Sequence, residues 1–168
     1  LDSSLDFLKK SMPTAMRIFA SVKSETPCPI TVCEGKQWLS QLLKNKEIVQ
    51  QLVESGVDIN TPIPGPPVIE ASMCRHYDIT LYLLQAGAEY RNAYFVNVHS
   101  DTIGLLGTLR LDCYYHDLNS KRHRQKMKVV EYLMGKGMNY WEEPIPDYIQ
   151  EKIKEMYPDT WKEFLEKY

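Results

Sequence analysis

One phrase written three times constrains this chain more than any other feature: KEIVQQLVESGVDIN at 46–60, YDITLYLLQAGAEYR at 77–91 and MKVVEYLMGKGMNYW at 127–141. In the first copy Ile48, Val49, Leu52 and Val53 form one stripe of a helix. Ile79, Leu81, Leu83 and Leu84 mark the second copy, and Val129, Val130, Leu133 and Met134 the third. Gly56, Gly87 and Gly137 follow these stripes, where a left-handed residue closes a helix. A unit of this kind cannot bury its apolar face alone and must stack on its neighbours. Three unrelated amphipathic helices would give the same helix signals, but not matching residues on both sides of each glycine.

The segments Leu52-Val53-Glu54-Ser55-Gly56-Val57-Asp58-Ile59-Asn60 and Leu83-Leu84-Gln85-Ala86-Gly87-Ala88-Glu89 resemble the end of the outer helix in the ankyrin repeat, Leu-Leu-x-x-Gly-Ala-Asp-x-Asn. Pro66-Pro67-Val68-Ile69-Glu70-Ala71-Ser72 resembles its inner-helix opening, Thr-Pro-Leu-His-x-Ala-Ala, with Pro66 and Ile69 replacing the Thr and His. Proline rigidity then stands in for the hydrogen bonds those side chains would make. The resemblance spans roughly residues 35–141 and is closer for outer helices than for inner ones. Gly87 follows Gly56 by 31 residues, near the family period of about 33, but Gly137 follows Gly87 by 50. The third unit therefore carries an insert at about 92–124 that the family does not explain.

The resemblance implies an all-α helical solenoid of ankyrin-like units, with extra capping helices at both ends. Its parts are an N-terminal cap at 1–34, unit 1 at 35–61, unit 2 at 62–91, an enlarged unit 3 at 92–141 and a C-terminal cap at 142–168. Ser3 or Ser4 caps a helix with Leu5 and Leu8, and Pro13 opens another with Met16, Phe19 and Val22. A loop at 23–34 precedes the first inner helix, marked by Trp38, Leu39, Leu42 and Leu43. The proline-rich run 61–67 is a stiff hairpin tip. Pro146 opens a helix with Ile149, Ile153 and Met156, and Pro158-Asp159 opens a last one with Trp161, Phe164, Leu165 and Tyr168.

Composition removes several classes. The 168 residues suffice for one domain, and a hydrophobic fraction of 43% suits a thin stack. A net charge of −2 argues against a dedicated nucleic-acid binder. No run of eighteen apolar residues exists, so no membrane span is expected. We expect a cytoplasmic protein without cofactor, and the opening Leu1 leads us to expect a piece of something longer. Cys28 and Cys33 lack zinc-knuckle spacing, and Cys74 and Cys113 stand alone, so thiols rather than a metal site are expected.

One catalytic alternative stands in the insert. On a helix Cys113 and His116 share a face, with Asp112 or Asp117 to orient the histidine, as a cysteine hydrolase would need. A nucleophile of that type usually sits at a helix start, far in sequence from its base. Here the predicted helix begins near Thr102 and reads as the long inner helix of the third unit, so no catalytic residue is assigned.

The ankyrin resemblance implies recognition of another protein through hairpin tips and the concave inner-helix face. Position by position it marks Thr61, Ile63, Glu70, Met73, Cys74, Tyr94 and Phe95 as partner contacts. The rings at Tyr94 and Phe95 are of the type favoured as interface anchors, and Tyr140 and Trp141 hold the corresponding place after the third unit. The basic run Lys121, Arg122, Arg124, Lys126 reads as a solvent-exposed turn and a possible docking patch for an acidic partner. An alternative is an accessory target-binding domain of a larger protein, such as a bacterial effector whose catalysis lies elsewhere.

Overall fold

The computed structural model describes residues 45–60, 66–97, 100–112 and 117–168. The expected N-terminal cap, the first inner helix, the tip bearing Thr61 and Ile63, and the Cys113–His116 pair lie outside the described residues. The chain divides into two compact units, Leu1–Pro64 and Gly65–Tyr168. In the first unit, helix α1 (Lys46–Glu54) is capped by Asn45, whose Oδ1 accepts from the Glu47 N–H at 3.0 Å.

The second unit is mainly helical. Pro67 stands at the first position of α2 (Pro67–Met73), where its missing N–H has no helical partner to lose. Helix α3 (Tyr77–Gln85) folds back on α2, and its Ile79, Leu83 and Leu84 are buried. A two-stranded antiparallel ribbon follows, β1 (Tyr94–Val96) with β2 (Thr102–Gly104), then α4 (Leu105–Arg110) and the longer α5 (Lys121–Gly135). Helix α2 packs on α4 and α3 packs on α5, so one helical layer lies on the next. Ser72 Oγ and Thr108 Oγ1 share a buried 2.6 Å hydrogen bond between α2 and α4. Tyr132 of α5 donates to the Leu84 carbonyl of α3 at 3.1 Å.

The glycine endings behave as the sequence pattern implies. Gly56, Gly87 and Gly137 have φ of 81°, 93° and 83°. After each, the next N–H reaches back to the same helical carbonyl: Val57 to Leu52, Ala88 to Leu83 and Met138 to Leu133, at 2.9–3.1 Å. This paired closure satisfies carbonyls that a bare helix end leaves unbonded. Helix α2 closes in the same way, His76 N–H to Ala71 O at 2.9 Å, but with Arg75 in the left-handed position at φ 61°.

The insert departs from expectation. Instead of a long helix starting near Thr102, residues 102–104 pair with 94–96 in the ribbon, and α4 has only six residues. Tyr94-Phe95-Val96 and Thr102-Ile103 are β-favouring residues, and Asn97 and Asp101 close the turn between them through side-chain bonds of 2.9 and 3.0 Å. Gly107 lets α4 lie close to this ribbon, since a Cβ there would meet Ile103 Cγ2 at 2.7 Å.

A 3₁₀ turn (Tyr140–Glu142) leads to α6 (Asp147–Met156) and α7 (Trp161–Leu165), where the two prolines place them. Ile149, Ile153 and Tyr168 are buried against half-buried Tyr157, Trp161 and Phe164, with the Tyr157 and Phe164 rings stacked at 4.5 Å. Met156, expected on this apolar face, is exposed. The fold class is all-α with one short ribbon. Among the described residues no helix is long and apolar enough to cross a membrane.

Candidate functional site

The described contact residues fall on two elements. Glu70 is half-buried, Met73 is 42% exposed and Cys74 is exposed at the end of α2. Tyr94 and Phe95 lie on β1, and a strand sends neighbouring side chains to opposite faces. Tyr94 is 51% exposed and shares its face with Val96 at 57%, opposite Gly104 and Thr102. Phe95 turns with its partner Ile103 to the other, half-buried face. The ribbon therefore presents Tyr94 with Val96, not Tyr94 with Phe95. Val96 has no signal in the sequence, because a three-residue alternation is too short to mark a strand.

The basic run is the opening of α5 and not a turn. Ser120 caps the helix by accepting from the His123 N–H at 3.1 Å, and the first turn holds no acidic residue. Lys121, Arg122 and Arg124 are exposed at the positive end of the helix dipole, a mildly unfavourable place for cations. Lys126 is different: it is fully buried. It shares the inner stripe with Val129, Val130 and Leu133, a spacing readable in the sequence but hidden by the surrounding charges. Lys126 is thus no part of an exposed docking patch.

The Lys126 amine sits in a polar knot that joins α5 to the end of the chain described here. Nζ donates to Tyr140 Oη at 3.1 Å and to the Tyr168 main-chain oxygen at 3.0 Å, and Tyr140 Oη donates to that same oxygen at 2.6 Å. Tyr168 Oη in turn donates to the main-chain oxygens of Arg110, at 3.1 Å, and Asp112. The Arg110 guanidinium lies 3.8 Å from the Tyr140 ring centroid and donates to the Tyr140 carbonyl at 2.9 Å. Asp112, 4% exposed, pairs with Arg75 at 3.4 Å.

Burial dominates the electrostatics of this knot. It pushes the Lys126 amine down to about 8, helped by nearby Arg110 and opposed by Asp112. Burial, with Asp112 adding, holds the Tyr77 phenol protonated far above its ordinary range. Tyr140 and Tyr168 are raised in the same way, burial first. Burial and then Lys126 bring His123 down to about 4, so its ring is neutral at pH 7. With the amine enclosed and the phenols protonated, these groups are arranged as a structural tie, not as an accessible acid or base.

Beside the knot lies an open groove of about 500 Å³, walled by residues 141–145 and by Leu165 and Glu166, with Arg110 also lining it. Sequence reading missed it because its walls come from the loop after α5 and the end of α7. Of the two rings that follow the third unit, Trp141 is 42% exposed, while its neighbour Tyr140 is buried. Comparisons with family models, characterised proteins and solved structures find no match to this chain.

Proposed function

We propose that this chain is a non-catalytic recognition module, built of divergent ankyrin-like helical units, that binds another protein through preorganised surface. The observation that carries the reading is the repeated helix closure at Gly56, Gly87 and Gly137, with the same backbone bonds each time. The packing of α2 on α4 and of α3 on α5 is what stacked units of this kind require. A stack held in this way loses little conformational freedom on binding, which favours affinity. Tyr94 and Val96 are the apolar side chains most exposed on the ribbon and are its natural anchors.

The test is an affinity capture from cell lysate with the intact chain, read by quantitative mass spectrometry beside a Tyr94→Ser, Val96→Ser variant. A specific protein retained by the parent and lost from the variant, at unchanged melting temperature, supports the reading. Equal retention by both removes the ribbon from the interface.

A further inference from the structure

The ribbon has one edge whose hydrogen-bonding capacity is unused. The Asn97 N–H donates to the Asp101 carbonyl at 3.0 Å, which makes 97 and 101 a hydrogen-bonded pair of the antiparallel ladder. Such pairs alternate along a ribbon, and the register runs Val96 with Thr102, Phe95 with Ile103 and Tyr94 with Gly104. Phe95 and Ile103 therefore use their main-chain groups on each other. The N–H and C=O groups of Tyr94 and Val96 point away from the ladder, to the free side of β1, and those of Thr102 and Gly104 to the free side of β2. Among the described residues no hydrogen bond takes up the main-chain groups of Tyr94 or Val96. The two edges differ. On β2, Gly104 already caps α4, and Ile103 lies against Gly107 of that helix. On β1 the free groups stand beside side chains that are 51% and 57% exposed. Natural edge strands are commonly guarded by Lys, by Pro or by another charge. Residues 92–97, Asn-Ala-Tyr-Phe-Val-Asn, hold none of these.

We infer that the edge of β1 pairs antiparallel with β1 of a second copy of this chain, joining two ribbons into one four-stranded sheet. The inference rests on the reading of the ribbon as an interface and names what occupies its edge. Self-complementarity points to a second copy. The free groups lie two residues apart on one strand, so a two-fold axis at Phe95 sets Tyr94 opposite Val96 of the second copy and Val96 opposite its Tyr94. Each free N–H then meets a free C=O across the axis. The same register sets an aromatic ring beside a β-branched side chain on the exposed face, a favourable cross-strand combination, and does so twice. No like charges are brought together, because residues 92–97 carry no charge. The pairing uses the edge and leaves the outer face open, where Tyr94 and Val96 of both copies form one continuous apolar patch for a further partner. Three-residue strands bury far less than the roughly 1,600 Å² of a standard interface, so the dimer is weak, with a Kd on the order of 100 μM.

Analytical ultracentrifugation and amide hydrogen exchange on the full chain test this together. Between about 10 μM and about 1 mM the chain should pass from monomer to dimer and stop there, because a two-fold contact closes on itself. Over the same range the amides of Tyr94 and Val96, which exchange freely in the monomer, should slow several-fold, while the Phe95 amide is protected throughout. Val96→Pro removes one outward N–H without touching the ladder, a change an edge strand accommodates, and should weaken the dimer at least about tenfold at unchanged melting temperature. Val96→Thr keeps the N–H and the branched shape and should associate as the parent does. Should the proline disturb the ribbon, Tyr94→Lys with Val96→Lys decides instead, since it sets cations opposite one another and should abolish the dimer. A chain that stays monomeric at about 1 mM overturns the assignment. So does a dimer in which the Tyr94 and Val96 amides exchange as fast as in the monomer, or a folded proline variant that associates like the parent. If the chain is monomeric while lysate capture still depends on Tyr94 and Val96, the strand pairing is wrong and the ribbon reading survives. If the dimer forms as described while the double Ser variant captures the same protein as the parent, the pairing stands and the outer face is not the interface for another protein.

Discussion

Two regions of the second unit are held together by opposite means. Where α2, α3, α4 and α5 meet, the contacts are apolar stripes, with Ser72 and Thr108 forming a buried hydroxyl pair. Where α4 and α5 meet residues 140–168, the contacts are a buried amine, a guanidinium and phenols joined by main-chain oxygens. An apolar interface tolerates any side chain of similar volume, whereas a buried polar network is costly as soon as one member is missing. The layers are thus generic in chemistry, whereas the C-terminal helices add to their apolar packing a set of polar links with defined geometry.

Removing the amine should break this contrast most strongly. Lys126→Ala leaves a cavity and deprives Tyr140 Oη and the Tyr168 oxygen of a donor, at a cost of about 3–5 kcal/mol in chemical unfolding of the second unit. Lys126→Met keeps the volume and should recover more than half of that loss. If alanine costs under about 1 kcal/mol, the knot does not hold the C-terminal helices in place.

The pH profile sharpens the same contrast. An amine at about 8 in the folded chain and 10.5 when unfolded is bound by more protons in the unfolded state between those values. Stability should therefore rise from pH 8 towards pH 9.5, by about 1 kcal/mol once the opposing phenols are counted, and the rise should vanish in Lys126→Met. Above pH 10 the sign reverses, because Tyr77, Tyr140 and Tyr168 keep their protons in the fold while the unfolded phenols lose theirs. On the acid side His123 binds its proton in the unfolded chain first, so stability falls as pH drops from 6.5 towards 4. Thermal melts across this range check all three slopes. In the same range of effect, Tyr140→Phe removes one oxygen and should cost about 2 kcal/mol, while the equally conservative Leu133→Met in the apolar region should cost less than about 1.5 kcal/mol.

Repeat closure lies next in size. At Gly87, φ of 93° leaves open space for a Cβ but not the backbone conformation a β-branched residue prefers. Gly87→Val should cost about 1–2 kcal/mol, and Gly137→Val a similar amount, by urea unfolding. A much smaller value would show that the closures are not what fixes the helix ends.

How much of this was legible follows from the kind of signal each part leaves. The stripes ending in Gly87 and Gly137, and the prolines at 146 and 158, report local backbone preferences, and the helices stand where they imply. The ribbon was hidden by its length, since three residues such as Tyr94-Phe95-Val96 give too short an alternation to mark a strand, and its second strand falls where a helix from Thr102 is expected. The knot was hidden for another reason. Lys126 sits among Lys121, Arg122, Arg124 and Lys128, where charge signals exposure, and its partners Tyr140 and Tyr168 are 14 and 42 residues away. The groove depends on residues from three separate segments and has no local signature at all.

The smallest expected effect is on the ribbon, and it bears on function most directly. Tyr94 and Val96 share the exposed face of β1 across from Gly104 and Thr102, so neither supports the packing of the unit. Replacing both with Ser should shift stability by no more than about 0.5 kcal/mol, in contrast to any change in the knot. Phe95→Ala, on the half-buried face with Ile103, should cost more than the pair together despite being a single substitution. Melting temperatures of these two variants separate a ribbon whose outer face is free for a partner from one whose rings hold the fold. A double Ser variant that melts well below the parent would place Tyr94 and Val96 with the core and remove the outer face of the ribbon as the proposed interface.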